Sequence, residues 1–329
     1  MRVRKCYEVS SITSVFALHY VSLYGWARGR GAPILVSACD YCCAFAAIIW
    51  ASIYGEAALV RSETFHIYRL QSRGRRRIEE KMRPKIFLFG DSITEESFGD
   101  GGWGACLAHH FCRTVDVVLR GYSGYNTRWA LRVLEKVFPA VEETPLAVTV
   151  FFGANDASLP DRGSAFQHVP LLEYKQNLHD IVSFIKVFFS LSLFLINGFK
   201  RWPTTLVLLI TPPPIDEDGR LRFPYGDNPS GLPERTNEAA SAYAKECIAV
   251  AGECGVPVVD IWTRMQQLPD WPKVCLRDGL HLTQSGNKIV FEEVVERLRK
   301  EGLSLETLPA DLPLLSEIDP RDPLKAFQI

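Results

Sequence analysis

The chain has 329 residues, 47% of them hydrophobic, enough for one large domain or two small ones around a sizeable core. Its formal net charge is −1, so no global field draws it to nucleic acid or to an anionic membrane surface. The nine cysteines are odd in number and scattered, too sparse for a disulfide scaffold.

Residues 33–55 are rich in Ala, Ile, Tyr and Cys, but Asp40 interrupts them and Glu56 closes them. The uncharged part, Tyr41 to Gly55, falls short of the ~20 residues a spanning helix needs. The N-terminus has no basic–apolar–small cleavage pattern. Cys39-x-x-Cys42 has the spacing of half a metal or redox site, with no second pair and no flanking His, so no metal is implied there. Arg73-Gly74-Arg75-Arg76-Arg77 reads as a solvated linker. We read residues 82–329 as the folded domain and 1–81 as an N-terminal extension upstream of a natural start at Met82. That start implies a cytoplasmic location. A membrane anchor within 1–81 is the alternative.

From Met82 onward, strands and helices alternate. Strand candidates are 85–89, 116–119, 146–152, 205–210 and 256–261, continuous apolar runs of the kind buried on both faces of a parallel sheet. A helix over Leu171 to Lys186 leads into an almost wholly apolar run ending at Ile196, then Asn197-Gly198 and Lys200-Arg201-Trp202-Pro203. We read 187–203 as an insertion, because removing it leaves an ordinary short helix-to-strand link. Residues 234–252 place Ala240, Tyr243, Ala244, Cys247, Ile248 and Ala251 on one helical stripe, ended by Gly252 and Gly255. Residues 285–299 do the same with Phe291, Val294, Val295 and Leu298. The alternation predicts a three-layer α/β domain whose functional loops leave the carboxyl ends of the strands. The Pro-, Asp- and Leu-rich tail from Leu305 is expected to wrap the surface.

Four polar turns stand where such loops belong. Gly90-Asp91-Ser92 directly follows the first strand. Ser123-Gly124-Tyr125-Asn126 and Gly153-Ala154-Asn155-Asp156 follow the next two. Asp278-Gly279-Leu280-His281 precedes the last helix. A serine hydroxyl is a poor nucleophile unless a base stands beside it. His281 is the candidate base with an acid at fixed local spacing, and Asp278 would set its tautomer and stabilise imidazolium. His19 and His66 lie outside the core, His109, His110 and His179 fall in helices, and His168, in a loop, is the rival. A bare Asp-x-x-His is more often a structural turn, and its weight here comes from the accompanying turns. Gly99 to Gly104 fits G-x-G-x-x-G but begins ten residues after the strand, and the next acid, Asp116, comes too early for a ribose contact. It reads as a flexible loop beside the site. The G-x-S-x-G elbow and H-E-x-x-H are both absent from the sequence.

Gly-Asp-Ser at 90–92, Gly124, Gly-x-Asn-Asp at 153–156 and Asp-x-x-His at 278–281 resemble the four blocks of the SGNH (GDSL) hydrolases. The segments RGYSGYNTRWAL, FFGANDA, LITPPPIDEDGR, LPERTN and DGLHLTQSGN are most similar to the isoamyl acetate-hydrolysing esterase-like subgroup, especially its plant members. The resemblance covers roughly residues 82 to 328. Ile93 stands where the family name has Leu, and 1–81 and 187–203 have no counterpart in the pattern. The resemblance implies a flavodoxin-like three-layer SGNH fold with a parallel sheet of about five strands. It implies catalysis by Ser92, Asp278 and His281, with an oxyanion hole from the backbone N–H of Ser92, the backbone N–H of Gly124 and the side-chain amide of Asn155. Taken alone, Gly124 is equally a turn glycine and Asn155 an Asx-turn residue. Asp91 is expected to tie down the Ser92 loop. The implied reaction is hydrolysis of short-chain acyl esters, acetates above all, through an acyl-serine and without cofactor or metal. The partner is a small-molecule ester rather than nucleic acid. A carbohydrate O-acetylesterase or a lipase on the same scaffold, or an inactive product disrupted by 1–81 and 187–203, are the alternatives.

Overall fold

Five apolar segments pair side by side in parallel, and the ends of those strands decide where the polar turns fall. The structure, a computed structural model, describes residues 83–138, 145–197 and 205–327, apart from the side chains of 187–197. They belong to a unit spanning Lys81–Ile329. The extension 1–81 with its Cys39-x-x-Cys42 pair, and of the 187–203 stretch the side chains of 187–197 and all of 198–203, lie outside the described residues. The strands are β1 (Lys85–Gly90), β2 (Asp116–Gly121), β3 (Ala147–Phe151), β4 (Leu206–Ile210) and β5 (Val258–Val259). Their order is β2-β1-β3-β4-β5, every pairing parallel. This is the flavodoxin-like, doubly wound arrangement. The helices among the described residues are α1 (Ser92–Glu95), α2 (Trp103–His110), α3 (Thr127–Val137), α4 (Leu171–Asn197), α5 (Glu217–Arg222), α6 (Asn237–Cys254), α7 (Ile261–Gln266), α8 (Trp271–Cys275) and α9 (Gln284–Lys300).

The two-residue period of a strand sends alternate side chains to opposite faces, and each face has its own core. Ile86, Leu88, Leu208 and Ile210 enter one core with Trp103 and Leu107 of α2 and Ile289, Val290, Val294 and Leu298 of α9. Phe87, Phe89, Val207 and Leu209 enter the other with Leu134 of α3, Tyr174 and Leu178 of α4, and Tyr243 and Cys247 of α6. Full burial of each such side chain contributes about 1.5–3 kcal/mol. Because both faces are covered, the strands read as continuous apolar runs.

Three local details depart from the sequence expectation. The last strand is only Val258–Val259, because Pro257 offers a carbonyl but no N–H and the Asp260 side chain accepts from Thr263 N at 3.0 Å to cap α7. On α6, Ile248 is exposed and Val250 is buried instead. At about 100° per residue the buried stripe runs through Ala240, Tyr243, Ala244, Cys247, Val250 and Ala251 and leaves Ile248 at its rim. The backbone of α4 runs on past Lys186 to Asn197, since no Gly or Pro interrupts that stretch. Among the described residues no helix is long and apolar enough to cross a membrane. The tail lies against the surface, where Arg113 Nε meets Asp311 Oδ1 at 3.0 Å and Arg113 Nη2 donates to the Leu312 carbonyl at 2.8 Å.

Candidate active site

Gly90 is in register with Gly121 on one side and Phe151 on the other, so β2, β1 and β3 end level. β1 lies at the switch point of the sheet, where ligands of doubly wound folds bind. Asp91 leaves β1 and caps α1, its Oδ1 accepting from Ile93 N at 3.0 Å. Ser92 therefore opens a helical turn directly above the sheet and is 6% exposed. The Gly99–Gly104 loop does lie beside this turn: the Trp103 indole N–H donates to the Ile93 carbonyl at 3.2 Å.

The fourth turn is brought to the same place by a pinched loop. Leu276 and Leu282 form an isolated antiparallel bridge, and Arg277 N donates to the His281 carbonyl at 2.9 Å. Between them Asp278 Oδ1 accepts from the backbone N–H groups of Leu280 at 3.0 Å and His281 at 2.7 Å. Its other oxygen, Oδ2, lies 2.8 Å from His281 Nδ1, and His281 Nε2 lies 3.0 Å from Ser92 Oγ. Burial pushes the Asp278 carboxyl up, but the His281 ring bond and charge, with the two backbone N–H groups, outweigh it and hold it well below the ordinary carboxylate range. An ionised Asp278 accepts the Nδ1 proton and leaves the Nε2 lone pair facing the hydroxyl. That arrangement can draw a proton from a serine as the serine attacks an acyl carbon. The loop rival, His168, has its Nδ1 2.6 Å from the Ser158 carbonyl instead.

Gly124 and Asn155 follow the flanking strands. Gly124 has φ +78°, a left-handed conformation that glycine adopts without steric cost. Asn155 Nδ2 donates to the Tyr125 carbonyl at 2.9 Å, which ties the third turn to the second. Asp156 grips the start of α3, accepting from Thr127 N at 3.0 and 3.2 Å and from the Thr127 hydroxyl. Both buried carboxyls, Asp91 and Asp156, are pushed up to about 7, chiefly by burial.

Four residues that hold these turns were not singled out in the sequence: Gln167, Arg220, Glu234 and Arg235. Gln167 Nε2 donates to the Gly124 carbonyl at 3.0 Å, and Arg235 Nη2 donates to Asn155 Oδ1 at 3.1 Å. Arg220 Nη1 donates to the Asp278 carbonyl at 2.9 Å. Three of the four sit in the segments LITPPPIDEDGR and LPERTN, but a charged residue in a Pro-rich polar stretch reads as solvated. Among the described residues no group of three His, Cys, Asp or Glu is placed to hold a metal ion.

A parallel α/β sheet with serine, histidine and aspartate in hydrogen-bond contact at its carboxyl edge defines a hydrolase-type site. The family described as GDSL-like lipase/acylhydrolase matches residues 86–294. A GDSL esterase/lipase of Arabidopsis thaliana is 63% identical over 250 residues, 75% of this chain and 98% of that protein. An isoamyl acetate-hydrolyzing esterase 1 homolog of Rattus norvegicus is 42% identical over 240 residues, 72% of this chain and 90% of that protein. Among solved structures, the lipase/acylhydrolase from Enterococcus faecalis is 26% identical, with a TM-score of 0.48 over 69% of this chain and 98% of its own. The chain belongs to the GDSL-like lipase/acylhydrolase family and is a carboxylic ester hydrolase.

Proposed function

We propose that the protein hydrolyses short-chain acyl esters, acetates above all, through an acyl-serine intermediate. Ser92 is the nucleophile, His281 the general base and then general acid, and Asp278 the residue that orients His281. The backbone N–H groups of Ser92 and Gly124 and the amide of Asn155 stabilise the oxyanion, and Asp91 supports the Ser92 turn. In the first half-reaction Ser92 Oγ bonds to the acyl carbon while its proton passes to His281. The tetrahedral intermediate collapses as His281 protonates the departing alcohol. Water, deprotonated by the same imidazole, then releases the acid and restores Ser92.

The observation that carries this reading is the continuous relay Ser92 Oγ, His281 Nε2 and Nδ1, Asp278 Oδ2, at 3.0 and 2.8 Å. The acetate preference draws its support from the relatives named isoamyl acetate-hydrolyzing esterase 1 homologs. Turnover of p-nitrophenyl esters of increasing acyl length tests the preference, and acetate to butyrate are expected to be the best substrates. Ser92→Ala tests the chemistry. A folded variant is expected to lose roughly 10⁴–10⁶-fold in kcat, and near-normal turnover would sink the assignment.

A further inference from the structure

Three charged side chains lie almost wholly out of solvent behind the site: Arg220 and Glu234, each 4% exposed, and Arg235, 2% exposed. Buried charges are disfavoured unless paired, and apolar residues in their place commonly serve stability as well or better. What these charges hold is therefore the question. Glu234 Oε1 joins them, lying 2.8 Å from Arg220 Nε and 3.2 Å from Arg235 Nη1. Arg220 reaches one half of the site, its Nη1 donating to the Asp278 carbonyl and standing 3.4 Å from Asp278 Oδ2. Arg235 reaches the other half. Its Nε donates to the Ala154 carbonyl at 2.9 Å, and its Nη2 to Asn155 Oδ1 at 3.1 Å and Gln167 Oε1 at 2.8 Å. Gln167 in turn donates to the Gly124 carbonyl.

The consequence lies in the Asn155 amide. Its two ends are alike in shape, but a guanidinium only donates, so the end facing Arg235 must be the oxygen. The NH₂ end is then turned the other way, where one N–H is taken by the Tyr125 carbonyl and the second is left for substrate. A half-turn of the amide would set N–H against N–H. Four acceptors surround Arg235: Ala154 O, Asn155 Oδ1, Gln167 Oε1 and Glu234 Oε1. A planar fork meets all four, whereas a lysine ammonium carries three donors.

We propose that Arg235 is a positioning residue of the oxyanion hole, setting the Asn155 amide directly and the Gly124 turn through Gln167, and that Glu234 couples it to Arg220 so that one buried ion cluster aligns the acid and oxyanion halves of the site. The proposal rests on the oxyanion role assigned above to Asn155 and Gly124.

The test is a double-mutant cycle on the full chain, with p-nitrophenyl acetate as substrate and thermal melting as the check of fold. Arg235→Lys keeps a cation opposite Glu234 but loses the fork. It is expected to lower kcat about 10–100-fold with little change in KM, because misplaced donors act on the transition state. In the Asn155→Ala background, where the main target is gone, the same change is expected to cost no more than about threefold. Gln167→Met, which takes one acceptor from Arg235 but leaves the Arg235–Glu234 ion pair in place, is expected to lower kcat at constant KM and keeps the test open should Arg235→Lys not fold. A slow Asn155→Ala whose effect simply multiplies with that of Arg235→Lys overturns the positioning role alone, as does a Gln167→Met variant with full kcat. Full kcat in Asn155→Ala by itself overturns the oxyanion reading, and the positioning role with it.

Discussion

Asn155 separates chemistry from binding more cleanly than any other side chain at the site. In the oxyanion role proposed for it, its amide answers a charge that exists only as the acyl carbon becomes tetrahedral, so its loss belongs in kcat. Asn155→Ala is expected to lower kcat by about 10²–10³-fold with little change in KM. A raised KM at constant kcat, read from initial-rate kinetics, would make it a substrate-binding or structural residue instead. Asp91 behaves differently. Its Oδ1 caps α1, while its buried Oδ2 has no hydrogen-bond partner among the described residues. Burial is the main reason its carboxyl is pushed from an ordinary 3.8 up to about 7. The sign follows directly. Below pH 3.8 both folded and unfolded chains hold the proton and burial costs nothing through this group. Between there and pH 7 the unfolded chain gives up the proton more readily, so Asp91 costs stability increasingly as pH rises, on the order of 4 kcal/mol once above 7. Asp91→Asn removes that cost. The melting temperature of the variant relative to the parent is expected to rise from pH 4 to pH 8, and a flat difference across that range would contradict the buried-carboxyl account.

Among the elements, the loop that bears Asp278 and His281 is held by α5 as well as by its own hydrogen bonds. Gly279 sits at φ +87°, and a Cβ there would lie 2.4 Å from the Asp216 carbonyl and 2.6 Å from Arg220 N. Its partner Gly219 is equally close: a Cβ on it would lie 2.7 Å from Gly279 Cα. Backbone thus packs on backbone where α5 begins, and the same contact places Arg220 against Asp278. Gly279→Ala is expected to push the loop off α5 and to lower kcat/KM about 10²-fold, with a strain cost of about 1–3 kcal/mol visible in melting. Unchanged kcat/KM would mean that the relay tolerates displacement of this loop. A milder perturbation lies one turn further on. The Thr283 hydroxyl caps α9 by accepting from Gly286 N at 3.1 Å. Thr283→Ala is expected to cost about 0.5–2 kcal/mol in thermal unfolding.

At the scale of the whole molecule, every group placed in the site and both of the cores found among the described residues belong to the unit Lys81–Ile329. A chain beginning at Met82 is therefore expected to keep the specific activity and the melting transition of the 329-residue chain. Failure of the shorter chain to fold would assign 1–81 a part in the domain. The layering, four of the five strands to within a residue or two, and the positions of Ser92, Gly124, Asn155, Asp278 and His281 at turns were all legible in the sequence. The reason is that each depends on local information: runs of apolar residues with the period of a strand or a helix, and polar turns at their ends. The short β5, the exposure of Ile248 and the continuation of α4 depend on neighbours that such periods do not reveal. The cluster of Arg220, Glu234 and Arg235 was not legible at all. A charged residue in a polar loop looks solvated until the chain folds over it, and the partners of Arg235 at Asn155 and Gln167 are 80 and 68 residues away. The amino-acid sequence by itself determined which side chains are the candidates for the chemistry, because the motifs are short and contiguous. Only the tertiary structure decided how those side chains are oriented, because burial and long-range hydrogen bonding exist only once the layers have packed.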